Sequence, residues 1–329
     1  MIDKYLCEIL VCPKCRSAFE GADRQDSANG ELICGKCRSS YPVVSGIPRF
    51  LDPKLSELKK KTAEGFGYSW TAFPEYYDFY RQQFLSWIWP VSPNDLKDKV
   101  VLDAGCGNGR HVYQTAMFGA KEVVGLDLSK AIDVAHENTR EFSNVHLMQA
   151  DIYNVPLSQV FDYVYCIGVL HHLPDPEEGF RSLTKLLKKG GRISVWVYAK
   201  EGNFIVRKFI DPVRLHITSR MPRFLLYVLS FPASALLFTM SRFIIYPLNK
   251  MRFTKPVTRF IPLNDYLDSI AAFNFRYIFN IVFDQLVAAK TQYISKNEIE
   301  SWFKRAGLSD INISFRNKNS WRGTGVKVS

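Results

Sequence analysis

Residues 100–109, VVLDAGCGNG, decide the fold. Val100 to Ala104 form a short apolar run of strand type, and glycines at 105, 107 and 109 turn it into helix-compatible residues from Arg110 onwards. None of the three projects a β-carbon, so the turn can be tight and its backbone can approach a ligand closely. Asp103 stands at the strand end, facing that ligand. The same pattern recurs downstream. EVVGLDLS (122–129) ends in Asp127, 24 residues beyond Asp103; VHLMQAD (145–151) ends in Asp151; FDYVYCIGVLHHL (161–173) supplies a fourth strand. Polar residues at the C-terminal ends of successive strands mark the ligand edge of an open sheet, so the expected class is α/β, doubly wound.

The residue types at that edge suit a nucleoside carrying a cationic tail. A carboxylate at Asp127 accepts hydrogen bonds from both hydroxyls of a ribose, and Asp151 is placed to receive the exocyclic amine of an adenine, with Ile152 beside the ring. The turn reads D-x-G-x-G-x-G and not G-x-G-x-x-G. An acid there would repel a pyrophosphate, whereas the amino-acid end of S-adenosylmethionine would welcome Asp103. His171 and His172, closing the fourth strand, are the neighbouring candidates for a base if the acceptor is a hydroxyl or phenol. They equally suit packing against the helix that follows.

With these motifs in view, residues 100–199 resemble the class I S-adenosylmethionine-dependent methyltransferases, particularly the ubiquinone and small-molecule methylases. The resemblance runs through LDAGCGNG, GLDLS, the QAD strand end and FDYVYCIGVLHHLPDPEEGFRSLTKLLKKGGRISV. It implies a Rossmann-like sheet of seven strands. The candidate cofactor residues are Asp103, Gly105, Cys106, Gly107, Asp127, Leu128, Asp151 and Ile152. It also implies that the C-terminus completes the sheet: ISKNEIESWFKRAGL (294–308) reads as an amphipathic helix closed by Gly307, and INISFRNKNSWRGTGVKV (311–328) as two strands about an Asn-rich turn.

Four of the seven cysteines form two C-x-x-C pairs, Cys12/Cys15 and Cys34/Cys37, with a loop containing Gly21, Asn29 and Gly30 between them. Thiolates at that spacing turn onto one ion, and four protein ligands leave no open position, so a structural zinc is expected. Zinc binding worth on the order of 10 kcal/mol can supply what a core of fifty residues cannot. Residues 9–51, with the Tyr41-Pro42 to Gly46-Ile47-Pro48 tail, resemble the small zinc-ribbon proteins that activate methyltransferases of tRNA and translation factors. That resemblance implies a docking or stabilising module fused in cis.

The expected organisation is a ribbon (1–52), an aromatic helical cap (53–98), the cofactor core (99–199), a helical insertion (200–293) and the C-terminal helix and hairpin (294–329). In the cap, Tyr68 and Trp70 are candidates to line the cofactor pocket. At 47% hydrophobic and 23% charged residues the chain is a globular protein, and Asp3, Lys4 and Glu8 break the apolar stretch that a signal peptide would need, which points to the cytoplasm. Nearly all of the net charge of +11 lies between Lys200 and Pro262, interleaved with the uncharged run 224–241. Pro232 should kink that run. Such a segment reads as a substrate lid or an in-plane contact with anionic lipid on the inner face of the membrane. The expected reaction is methyl transfer to a small-molecule or lipid-linked acceptor, nucleic acid ranking below it. The alternatives are RNA methylation through the ribbon and a non-catalytic cofactor-binding scaffold.

Overall fold

The structure, a computed structural model, describes residues 3–19, 29–258 and 260–328. Gly21 of the expected ribbon loop and Arg259 of the basic insertion lie outside the described residues. In chain order the strands are β1 (Gly30–Ile33), β2 (Ser40–Val44), β3 (Ile47–Phe50), β4 (Val100–Ala104), β5 (Glu122–Asp127), β6 (Val145–Ala150), β7 (Phe161–Ile167), β8 (Leu187–Tyr198), β9 (Leu308–Arg316) and β10 (Ser320–Lys327). They lie side by side in the order β1-β2-β3-β6-β5-β4-β7-β8-β10-β9. From β3 to β8 every pairing is parallel, and the two ends are antiparallel.

All five residues of β4 are buried, as a strand covered on both faces requires. One face packs Val101, Val123 and Leu147 against Val112, Ala116, Ile132 and Ala135 of the helices Arg110–Met117 and Ala131–Thr139. The other packs Leu102, Val124 and Val164 against Phe180 and Leu183 of the helix Pro176–Thr184 and Ile299 and Phe303 of the helix Lys296–Arg305. That is the doubly wound arrangement. The C-terminal hairpin contributes two antiparallel strands, β10 lying between β8 and β9.

The ribbon is continuous with this sheet. β3 adds to the edge of β6 in parallel, Arg49 opposite Gln149 and Phe50 opposite Ala150. Leu6, Leu10, Leu32, Val43 and Phe50 share one apolar cluster with Met148, Ala150 and Leu157 of the cofactor core. Arg16 donates to the carbonyls of Val155 (2.6 Å) and Leu157 (2.7 Å), satisfying backbone that the junction would otherwise bury unpaired.

Between β8 and the helix Lys296–Arg305 the insertion is helical. Its two ends meet: Lys200 donates to the Ile294 carbonyl at 2.9 Å and Ile294 to that of Tyr198 at 2.9 Å. A long excursion that leaves and returns at one point disturbs the sheet little, because closure cost grows only slowly with length. The helix Arg223–Thr239 runs α-helically through Pro232, continues as a π-helical stretch over Met240–Ile245, and packs Leu226 against Phe279 and Phe283 of the helix Phe275–Val287. Arg223–Lys250 is one helix long and apolar enough to cross a membrane by length and composition.

A buried polar tie between ribbon and core is Arg49, 8% exposed, which donates to Gln149 Oε1 at 3.2 Å and pairs with Asp133. Arg49→Met keeps the apolar stem and removes these bonds. It is expected to lower unfolding free energy by about 1–3 kcal/mol in urea titrations, with secondary structure by circular dichroism unchanged.

Candidate cofactor site and metal centre

The glycine turn after β4 holds its shape by borrowing from β5. The amides of Gly105 and Cys106 both donate to the Leu126 carbonyl, at 2.8 and 2.9 Å, and the Gly107 amide donates to Asp127 Oδ2 at 2.9 Å. Gly105, Gly107 and Gly109 all have φ between 55° and 86°, the left-handed region where a side chain is strained. A β-carbon on Gly107 would also sit 2.9 Å from Trp70 Nε1, and one on Gly105 2.4 Å from Val169 Cγ2.

Asp127 Oδ1 accepts from the Ser129 amide (2.7 Å) and hydroxyl (2.6 Å). A carboxylate has about four acceptor positions. Three are taken by the protein, which leaves one to offer a ribose before a protein bond must yield.

A cavity of about 640 Å³ opens along this edge. Gly105, Cys106, Gly107, Asp127, Leu128, Asp151 and Ile152 line it; Asp103 does not. Asp103 is 1% exposed beneath the turn, its oxygens without a well-formed hydrogen bond, and burial followed by Asp127 raises its pKa well above the carboxylate range. Asp151 is engaged from the cap, where Lys59 on the helix Glu57–Ala72 reaches it at 2.6 Å and lies 4.1 Å over the Tyr153 ring. Trp70 of the same helix lines the cavity, whereas Tyr68 is exposed and packs on Phe283. The cap helix comes close because Gly67 has no side chain: a β-carbon there would lie 3.2 Å from Ser129 Cβ.

The two histidines part company. His172 lines the cavity, with Nδ1 2.7 Å from the Lys290 carbonyl; that contact places its proton on Nδ1 and leaves Nε2 as the acceptor, while burial holds the pKa down to about 4. His171 is fully buried against Tyr198, 4.2 Å between ring centroids, and lies off the cavity wall with both nitrogens unbonded.

Arg110 was not among the sequence candidates. Its guanidinium lies 4.7, 5.1 and 5.4 Å from the rings of Trp70, Tyr80 and Trp87, and donates to the Tyr277 hydroxyl at 3.3 Å. Among the described residues no carboxylate pairs with it. A cation in the first turn of a helix opposes the helix dipole unless an anion joins it, and that mismatch at the residue after Gly109 was the signal available in the sequence. The glycine cradle, the acidic strand ends and this unpaired cation fit the methionine and nucleoside parts of S-adenosylmethionine. The far part of the cavity is roofed by the insertion, through Ala233, Leu237, Tyr266, Phe273, Asn280, Asp284 and Gln285, and closed from β8 by Tyr198.

In the ribbon, the Sγ atoms of Cys12, Cys15, Cys34 and Cys37 all lie within 4.8 Å of one another, with Cys12–Cys37 and Cys15–Cys34 at 3.5 Å. Thiolates 2.3 Å from a tetrahedral zinc stand about 3.8 Å apart. The four therefore fit a closed structural zinc site.

Residues 95–215 match the family described as a methyltransferase domain, and residues 3–46 the family described as Trm112p-like protein. The chain is 33% identical over 126 residues to the tRNA U34 carboxymethyltransferase of Vibrio cholerae, covering 36% of this chain and 38% of that one. It is 34% identical over 121 residues to an uncharacterized protein of Synechococcus, covering 35% and 29%. The chain thus spans about a third of the length of these curated relatives. The magnesium protoporphyrin IX methyltransferase of Synechocystis with bound S-adenosylmethionine superposes at TM-score 0.47 with 16% identity, covering 84% of this chain and all of that one. The complex of the Haloferax volcanii Trm112 methyltransferase activator with a methyltransferase superposes at 0.44 with 14% identity, covering 84% and 99%.

These findings correct the expectation of a small-molecule or lipid-linked acceptor with nucleic acid ranked below it: the Vibrio cholerae and Pseudoalteromonas atlantica relatives are named for tRNA, and the ribbon matches the Trm112p-like family. The expected contact with anionic membrane is corrected with it. The inner face of the apolar helix is used inside the protein, as wall of the cavity and partner of the Phe275–Val287 helix.

Asp127→Ala is expected to weaken binding of S-adenosylhomocysteine at least tenfold by titration calorimetry, since a charge-assisted bond is lost and the turn loses its anchor. Chelation that releases zinc to a colorimetric indicator is expected to lower Tm, with Cys34→Ser reproducing the loss without chelator.

Proposed function

Residues 95–215 are a methyltransferase domain and residues 3–46 a Trm112-like zinc ribbon, and from this premise we propose that the chain transfers a methyl group from S-adenosylmethionine to RNA, with tRNA the acceptor to test first. The observation that carries the reading is the 33% identity, over 126 residues, to an enzyme named tRNA U34 carboxymethyltransferase. The charge agrees. Lys208, Arg220 and Arg252 are exposed on the insertion that roofs the cavity, and a polyanion gains affinity from each phosphate neutralised.

S-adenosylmethionine supplies an activated methyl group, so the protein's task is chiefly alignment and exclusion of water. Asp127 would hold the ribose, and the glycine turn would leave room for the methionine tail, with Trp70 and Arg110 beside it on the cavity wall. The aromatic side chains Tyr266, Phe273 and Tyr277, beyond the cofactor, offer stacking faces to one unstacked base, and Asn280 and Gln285 offer polar edges.

The experiment is incubation of the purified chain with methyl-labelled S-adenosylmethionine and bulk tRNA. Label in ribonuclease-sensitive material is expected, and charge reversal at Lys208 and Arg220 should reduce the salt dependence of tRNA binding by about one to two units of slope. Label that resists ribonuclease, or no label in any fraction of a cell extract, would overturn the reading, the second outcome leaving a non-catalytic scaffold.

A further inference from the structure

Asp284 lies on the Phe275–Val287 helix, far in sequence from every cofactor motif, yet it lines the same cavity. It sits where the cap helix Glu57–Ala72 meets the insertion at the cavity wall. On the cofactor side it accepts a hydrogen bond from Ser69, the residue before Trp70, and Trp70 lies against Gly107. On the insertion side its neighbour Gln285 donates to the Tyr198 hydroxyl at 2.5 Å. A carboxylate at that junction is a poor choice for mere packing. Among the described residues it has no ion-pair partner, and an apolar residue of similar size would fill the wall without its desolvation cost.

We propose that Asp284 is the base that takes the proton from the acceptor atom during methyl transfer. The inference rests on the methyltransferase reading and deepens it. In the step, the lone pair of an acceptor N–H or O–H forms a bond to the methyl carbon, and the carbon–sulfur bond breaks with its electron pair passing to sulfur. The acceptor's proton moves to an Asp284 carboxylate oxygen and then to water. Charge balances: a cationic sulfonium and an anionic carboxylate become a neutral thioether and a neutral acid.

The surroundings fit a base that must hold a proton only briefly. Asp284 is half-buried, and it lies deep enough that desolvation pushes its pKa up to about 6, against the opposing pull of the Ser69 hydroxyl and then Arg110. The charged or titratable groups facing it are Arg110, from the helix after the glycine turn, and Tyr198, from β8. On its own helix Tyr277 shares the Arg110 guanidinium, and His172 lines the same cavity as a neutral ring. A base must be ionised to act, so turnover rises as pH climbs through the carboxyl's pKa.

The test pairs two readouts on the zinc-loaded chain of 329 residues: single-turnover methylation of bulk tRNA between pH 5 and 8, and titration calorimetry with S-adenosylhomocysteine. Asp284→Asn is expected to lower the rate at least a hundredfold and flatten the acid limb, while S-adenosylhomocysteine affinity stays within about threefold of wild type. Ser69→Ala removes a bond to the ionised form and should move the limb to higher pH while leaving the plateau. Wild-type rate and limb in Asp284→Asn would overturn the proposal. So would a tenfold loss of S-adenosylhomocysteine affinity, which would place the carboxylate on the methyl donor. Failure of the wild-type chain to methylate tRNA at any pH would instead overturn the RNA reading; the variants are then compared on label incorporated into cell extract, where a wild-type rate and acid limb in Asp284→Asn overturn the proposal.

Discussion

A turn made of glycine has no side chains with which to hold itself, so the strand beside it must do so. Here the Leu126 carbonyl receives two consecutive amides, those of Gly105 and Cys106, and Asp127 receives a third from Gly107. Those three bonds depend on β4 and β5 lying in register, Asp103 opposite Gly125 and Ala104 opposite Leu126. Slippage of the pair would move the carbonyl away from the turn and flip every buried side chain of the strand. The cradle for the cofactor is thus a product of strand register, and register is enforced by the apolar layers on both faces of the sheet.

That dependence explains where the ribbon acts. β3 pairs with β6, the strand beside β5, and Arg49 reaches Gln149, whose amide donates to the Leu128 carbonyl at 3.0 Å. Leu128 is the residue after Asp127 and lines the cavity. The four-cysteine module at the edge therefore reaches the Asp127–Leu128 wall of the cavity through two side chains and one peptide. Zinc in the four-cysteine site would contribute stability to the ribbon, and the ribbon is bonded through Arg49 and Gln149 to a loop that lines the cavity.

The parts legible in the sequence were those whose signal is local. β4 to β7 announce themselves by short apolar runs ending in polar residues, and the two C-x-x-C pairs by spacing. What stayed hidden was long-range. Nothing in IPRF tells that its partner lies a hundred residues away, and a strand of four residues carries too little pattern to reveal a parallel pairing. Lys59 on Asp151 and Asp284 on the cavity depend on the packing of helices whose periodicity marks a buried face without naming what lies opposite. The acceptor was misjudged for a related reason. The uncharged run 224–241 has the composition of a lipid-facing surface, while part of that helix serves as wall of the cavity and as a packing partner of the Phe275–Val287 helix.

The parallel pairing of β3 with β6 also sets an order of events at the ribosome. Residues 47–50 emerge long before residues 145–150, so the edge strand exists first and waits for its partner. At the other end, β10 can join β8 only after the whole helical insertion has been made. The first of these seams can close once residue 150 is made and the second only near the end of the 329 residues, and non-local closures of this kind slow folding and leave strand edges open in the meantime. A ribbon already gathered around its metal would hold β3 in place on β2 until β6 arrives, which makes early metal supply a matter of yield as well as of final stability.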